Sequence, residues 1–262
     1  MTSQQFDQDL IRAVELARGA RSVEVFTGAG MSADSGLDTF RDARTGLWSK
    51  VDPQAMASID AWARDPEPMW AWYLWRAQLA LRAEPNAGHR AIADWATLPG
   101  VTEVHVTTQN IDNLHERGGV GAVAHLHGSL FDYRCTICSR PWRGRVEYPA
   151  EAVPRLSPPP CPLCGNLIRP GVVWFGEPLP QRQWQVAEEK MHSADLVVIV
   201  GTSGVVYPAA SLPLLAHRRG TPILEISPTT TDLSGVATLS WRATAATALP
   251  ALVNALGERV SG

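Results

Sequence analysis

The stretch SVEVFTGAGMSA, residues 22–33, alternates apolar and polar side chains as far as Thr27 and then turns on two glycines. An alternation of period two is a strand signal, and glycines directly behind it mark a strand–turn–helix junction. Gly28-Ala29-Gly30-Met31-Ser32-Ala33 also fits the pattern G-x-G-x-x-[G/A]. In that pattern the glycines let the backbone approach a pyrophosphate, and the following helix N-terminus favours its charge. On these residues alone, a glycine turn without a ligand fits equally well. The acidic residue that ordinary dehydrogenases carry about 20 residues later is not evident, which speaks against that class.

Working outward, residues 101–107, 122–126, 195–200 and 222–226 read as further strands. Helical spacing is predicted over 4–19, 87–97, 180–192, 208–219 and 247–257. Strands alternating with helices predict an α/β fold with a largely parallel sheet. Two stretches break the rhythm. Residues 42–85 are rich in tryptophan and helical in part, and residues 132–170 hold all four cysteines and a proline-rich run. Both read as insertions that together make a smaller lobe. The expected division is 1–41, 86–131 and 171–262 for the α/β lobe, with 42–85 and 132–170 for the small one.

With 262 residues and 45% apolar side chains, the chain can bury a sizeable core. Its net charge of −3 gives no basic footprint for nucleic acid. No apolar run is long enough to span a membrane, and the polar start of the chain lacks the pattern of a secretory signal. The expectation is a cytoplasmic protein, monomeric, without nucleic-acid or membrane partners. In that compartment cysteines are reduced, and metal binding is favoured over disulfides. Cys135-x2-Cys138 and Cys161-x2-Cys164 can each offer two thiolates from a tight turn, completing a tetrahedron around zinc. Four thiolates leave no open position for water, so such a zinc ion is structural. Two disulfides or a redox pair are the alternative.

Three more segments carry polar or small residues just beyond strands, and a fourth joins the cysteine stretch back to the α/β core. Thr108-Gln109-Asn110-Ile111-Asp112 stands where α/β sheets bind ligands, although an Asn/Asp turn explains it too. His127, in His127-Gly128-Ser129, could take up a proton near neutral pH, although a lone histidine is more often structural. Gly201-Thr202-Ser203-Gly204 offers amides and hydroxyls to a phosphate or ribose, or is a plain turn. Arg169 to Glu177 (RPGVVWFGE) either lines a groove or is a buried connector.

Taken together and in order, these segments resemble the sirtuin family of NAD-dependent protein deacylases. The resemblance rests on GAGMSADSGLDTFRD (28–42), TQNIDNLHERGG (108–119), HGSL (127–130), the two cysteine pairs, RPGVVWFGE (169–177) and GTSGVVYPA (201–209). It implies a Rossmann-like, doubly wound lobe beside a small zinc-binding and helical lobe, with NAD and an acyl-lysine protein substrate meeting between them. It implies NAD contacts at Gly28, Ala29, Gly30, Phe40, Arg41, Gln109, Asn110, Asp112, Gly201, Thr202, Ser203 and Ser227. The last stands where many sirtuins have asparagine, and Asp38 where many have proline. The implied reaction begins with attack of the acyl oxygen on C1′ of the nicotinamide ribose. His127 serves as general base on a ribose hydroxyl, while Asn110 and Asp112 hold the nicotinamide end. Val172, Phe175 and the backbone of Gly176 and Glu177 hold the substrate peptide as an added strand. The products are free lysine, nicotinamide and O-acyl-ADP-ribose.

Tyr73 and Arg76 stand three apart in a helical stretch, Met69 to Leu81, and therefore share a face. The segment from Asp65 to Gln78 resembles the sirtuin class that removes succinyl, malonyl or glutaryl groups, as does Thr39 before Phe40-Arg41. A guanidinium can grip a terminal carboxylate through two charge-assisted hydrogen bonds, and a tyrosine hydroxyl can add a third. The expectation is an acidic-acyl deacylase that also accepts acetyl. The alternatives are a plain deacetylase, a protein mono-ADP-ribosyltransferase on the same NAD site, and a non-enzymatic NAD sensor.

Overall fold

The computed structural model describes residues 2–37 and 56–258. Asp38, Thr39, Phe40 and Arg41 therefore lie outside the described residues. The central sheet has six parallel strands, β1 (Ser22–Thr27), β2 (Glu103–Thr108), β3 (Val123–His125), β6 (Leu196–Val200), β7 (Ile223–Ile226) and β8 (Leu239–Trp241). Their spatial order is β3-β2-β1-β6-β7-β8. The chain adds strands outward on one side of β1 and then on the other, so strand order reverses beside β1, as in doubly wound nucleotide-binding folds.

The sheet is covered by helices on both faces, so its strands bury even their polar residues, as in the Glu24–His105 pair at 2.7 Å between β1 and β2. All five residues of β6, LVVIV, are buried, as strands covered by helices on either side require. One face packs Val23, Val25 and Val198 against α1 (Ser3–Ala17), α5 (Ala87–Trp95) and α9 (Ala245–Glu258), through Val14, Ile92, Trp95 and Leu252. The other packs Phe26, Val197 and Ile199 against α7 (Gln181–Ser193) and α8 (Leu212–Arg218), through Met191, Leu212 and Ala216. Short helices α2 (Gly30–Ala33) and α6 (Leu114–Arg117) lie at the strand ends.

The small lobe pairs α3 (Ile59–Arg64) and α4 (Pro66–Arg82) with an antiparallel ribbon, β4 (Gly128–Cys135) and β5 (Ile168–Val172). Trp62, Trp70, Trp72, Tyr73, Tyr133, Ile168 and Trp174 form its core. That core extends past residues 132–170 to Leu130, Val172 and Trp174. The tryptophans of the insertion thus pack the lobe, Trp62 against Trp174 at 5.3 Å and Trp70 edge-on to Tyr133 at 5.6 Å. Arg155, from the strap between the cysteine pairs, clamps the start of α4 through Asp65 at 2.7 Å and Glu67 at 2.9 Å.

Three strands were not expected from sequence. β5 carries Pro170 and Gly171 and β8 spans only three residues, so neither shows an alternating run, while β4 alternates only from Phe131 and shifts register between Ser129 and Tyr133. The helix expected over 208–219 is a 3-10 turn, Ala209–Ser211, followed by α8 with Pro213 in its first turn.

Candidate functional site

The C-terminal ends of β1 and β6 are neighbours, and each runs into a glycine turn. These turns are packed against one another. Gly28 N–H donates to Val200 O at 3.0 Å and Gly30 N–H to Gly201 O at 2.8 Å. A Cβ on Gly30 would lie 2.8 Å from Gly201 Cα, and one on Gly28 would lie 2.7 Å from Thr202 Cβ. Gly201 itself adopts φ +59, a left-handed backbone that glycine tolerates. Only glycine permits this contact, which leaves the backbone of both turns at the mouth of the sheet. Ser227 follows β7 beside them, where Gly201 N–H donates to Ile226 O at 3.1 Å. The crevice at such a strand-order reversal is where doubly wound sheets take nucleotides.

The loop after β2 closes over this crevice. Gln109 Nε2 donates to Thr202 Oγ1 at 2.8 Å, linking the β2 and β6 ends. Asn110 is buried, its Nδ2 donating to Gly28 O at 3.1 Å and Ser32 Oγ at 3.2 Å. Asp112 is buried too, accepting from Ser32 Oγ and Leu114 N, each at 3.0 Å. Burial pushes the Asp112 carboxyl above the usual carboxylate range, against those two donors. Ser32 therefore ties the glycine turn to both Asn110 and Asp112. Sequence reasoning passed it over, although its place in the first turn after Gly30 was a signal.

A buried chain supports the loop from below. Thr27 Oγ1 donates to Thr108 Oγ1 at 2.8 Å and lies 3.0 Å from His115 Nε2. Thr108 Oγ1 in turn accepts the Asn110 N–H at 3.0 Å. His115 stacks edge-on with His89 at 4.9 Å. These histidines, and His125, have a setting that the sequence did not suggest. His125 bonds Asn110 O at 3.0 Å and Glu116 at 2.6 Å. Burial alone would lower its pKa, but Glu116 outweighs that and raises it.

His127 ends the segment between β3 and β4, and its Nδ1 sits 2.9 Å from Gln109 O. A carbonyl only accepts, so Nδ1 carries the proton and the lone pair of the neutral ring is on Nε2. Burial lowers the His127 pKa and so favours that neutral form. His125 and His127 both engage carbonyls of the same loop, as expected of residues two apart on one strand side.

Beyond β5 the chain folds back on itself. Arg169 is buried, its Nη1 2.5 Å and Nη2 2.9 Å from the Glu177 carboxylate, with its guanidinium 3.2 Å from the Trp174 ring centroid. Glu177 also accepts the Trp174 N–H at 2.8 Å. Its side chain is thus consumed in holding the turn. Val172 is buried in the ribbon, while Phe175 is 41% exposed, with its N–H donating to Ala57 O at 2.9 Å. Gly176 turns at φ +86.

Tyr73 and Arg76 do share a face of α4. Tyr73 is buried beside Trp174 at 6.4 Å, and burial pushes its hydroxyl up to about 12. Arg76 is partly buried, and its charge feels both Tyr73 and Asp112. Burial lowers its pKa, and those two groups oppose the shift. Arg76 on α4 and Asp112 in the loop after β2 are thus close enough for their charges to interact.

The four cysteine sulfurs lie within 4.8 Å of one another. Cys135 Sγ is 3.5 Å from Cys164 Sγ, and Cys138 Sγ is 3.9 Å from Cys161 Sγ. Tetrahedral zinc thiolate bonds of about 2.3 Å call for sulfurs roughly 3.8 Å apart, so the set is placed to hold one zinc ion.

Comparison with known proteins agrees with this geometry. The chain is 70% identical over 251 residues to "NAD-dependent protein deacylase 2" of Corynebacterium efficiens, covering 96% of this chain and 99% of that one. It is 53% identical over 234 residues to an NAD-dependent protein deacylase of Mycobacterium tuberculosis, covering 89% and 97%. Among solved structures, a Sir2 homolog–NAD complex superposes with a TM-score of 0.84 at 40% identity, covering 97% and 94%. A Sir2 protein with a deacetylated p53 peptide and 3′-O-acetyl ADP ribose gives 0.81 at 30%, covering 95% and 98%. The Sir2 family pattern matches residues 28–208, from the first glycine turn to the segment after the second, and the chain belongs to the Sir2 family.

Proposed function

We propose that this Sir2 protein, an NAD-dependent protein deacylase, prefers lysines carrying a short acidic acyl group, succinyl or malonyl, and accepts acetyl as a second substrate. The observation that carries the preference is the pair on α4. Arg76 and Tyr73 present a guanidinium and a hydroxyl on one face of α4, both against the Trp72 ring, and the Arg76 charge feels Tyr73 and Asp112. A terminal carboxylate entering there meets a fixed cation in a poorly solvated place, where charge-assisted hydrogen bonds are strong.

The remaining roles follow from position. NAD suits the crevice because the turns at Gly28–Gly30 and Gly201–Ser203 bring backbone amides to the mouth of the sheet, with Ala29 between the first pair. Gln109, Asn110 and Asp112 would orient the nicotinamide ribose, and Thr202, Ser203 and Ser227 would face the adenosine side. Phe40 and Arg41 belong to the same proposal by family resemblance. Nε2 of His127 would accept a proton from a ribose hydroxyl. Val172, Phe175, Gly176 and Glu177 would carry the substrate peptide, Glu177 through its backbone only. The zinc ion at the four cysteines would hold the small lobe together and take no part in the chemistry. The expected products are free lysine, nicotinamide and O-acyl-ADP-ribose. A cytoplasmic monomer that binds neither nucleic acid nor membrane completes the proposal.

The test compares rates on one peptide bearing acetyl-lysine or succinyl-lysine, each with and without NAD. Faster NAD-dependent succinyl removal is the expected result. Faster acetyl removal would discard the acidic preference and keep the deacylase.

A further inference from the structure

A bidentate grip on a carboxylate needs more than an arginine. The guanidinium ends a long, freely rotating side chain, and its N–H edge rather than its face must meet the ligand. Trp72 stands four residues before Arg76 on α4, one helical turn away, and is 3% exposed. The Arg76 guanidinium carbon lies 5.0 Å from the Trp72 ring centroid. The same indole meets Tyr73 edge-on at 4.8 Å and 62°. Trp72 therefore touches both members of the acyl-selecting pair.

We infer that Trp72 is a positioning residue for acyl selection, its ring holding Arg76 so that the N–H edge faces an acyl carboxylate while Tyr73 is braced alongside. A buried indole suits this task. It attracts a cation over its face and offers no acceptor that would compete for the N–H groups. The α4 backbone is itself fixed, by the Arg155 clamp at its start and by tryptophan packing along its length. The ring is therefore a stationary support. Trp72 itself would contact no substrate. This inference rests on the proposed acidic-acyl preference.

The experiment measures kcat and KM on succinyl-lysine and acetyl-lysine peptides for the full chain and for Trp72→Phe, Trp72→Leu and Arg76→Met. For Trp72→Leu, loss of the cation–π contact should raise the succinyl KM roughly ten-fold, with far less change in acetyl turnover. Trp72→Phe keeps an aromatic face and should recover most of that loss. In an Arg76→Met background, Trp72→Leu should cost no further selectivity. If Trp72→Leu does not fold, fluorinated tryptophan placed at position 72 alone weakens the ring's pull on a cation at nearly constant volume. Succinyl selectivity should then decline with each added fluorine. Equal changes on both peptides, or none on either, would overturn the inference. If Arg76→Met leaves selectivity untouched, the acidic-acyl reading itself has failed. If Arg76→Met alters selectivity and Trp72 does not, only the role of Trp72 is lost.

Discussion

The Nδ1 of His127 lies 2.9 Å from the carbonyl oxygen of Gln109, the residue that also bonds Thr202 across the crevice. One residue thus fixes the tautomer of the histidine and joins two strand ends. Because the carbonyl fixes the proton on Nδ1, the basic lone pair is held on Nε2. Burial lowers the pKa, so the ring stays neutral to more acidic pH than an ordinary histidine, as the proposed base requires. The acidic limb of kcat/KM should accordingly lie below pH of about 6.5. His127→Ala should lower kcat by about 10²–10⁴-fold while NAD binding, followed by calorimetry, persists. Unchanged turnover would remove His127 as the base.

Arg76→Met removes the cation but keeps most of the side chain's apolar bulk. Succinyl kcat/KM should fall by about 10–100-fold, the worth of hydrogen bonds to a charged group. Acetyl kcat/KM should fall much less. Parallel losses on the two peptides would contradict an acyl-selecting role.

The cysteine tetrahedron predicts a folding role for the metal. Chelation should melt the small lobe, shift the fluorescence of its buried tryptophans and abolish deacylation together, because metal binding there is folding free energy. An apo-protein that is both folded and active would show the site to be dispensable.

His89 and His115 give the fold a dependence on pH. Burial pushes the His89 pKa down to about 4 and drives that of His115 well below its usual value. Between pH of about 6.5 and 4 the unfolded chain therefore binds protons that the folded chain refuses. Stability from these groups is complete above the unfolded value and is lost as pH falls, by about 3 kcal/mol for His89 alone. Urea midpoints measured from pH 7.5 to 5 should decline, and His89→Gln should flatten the slope. A midpoint independent of pH in the parent protein would refute this.

Gly201→Ala places a Cβ 2.5 Å from Gly30 C and forces a side chain onto a left-handed backbone. The two glycine turns should separate and NAD affinity should weaken by at least ten-fold, a cost of about 1.4 kcal/mol. Equilibrium binding of NAD reads this directly.

Much of this architecture was legible in the sequence because it depends on local signals. The β1 alternation, the LVVIV run and the glycine turns each announce themselves within a few residues. The cysteine spacing did the same for the metal cluster, and Tyr73 and Arg76 for a shared helix face. What stayed hidden is contact between distant segments. Nothing near Ser32 reveals that it bonds Asn110 and Asp112, and nothing near His115 reveals Thr27. Glu177 was expected to meet substrate through its backbone, and nothing near it in sequence reveals that its carboxylate is held by Arg169, a pairing set by how the segment turns after β5. The ribbon escaped notice because a strand of IRPGV has no alternation to detect.

That ribbon has a mechanical meaning. β4 begins at Gly128, next to His127, and ends at Cys135. His127 and Cys135 thus stand at opposite ends of the ribbon, about 13 Å apart along β5 at the usual rise, because β4 shifts register between Ser129 and Tyr133. The ribbon is tied at both ends. At one end Val173 N–H donates to His127 O at 2.8 Å, and at the other the four cysteine sulfurs gather. A zinc ion held by the four cysteines would thus be joined to the His127 segment through the backbone of a single ribbon.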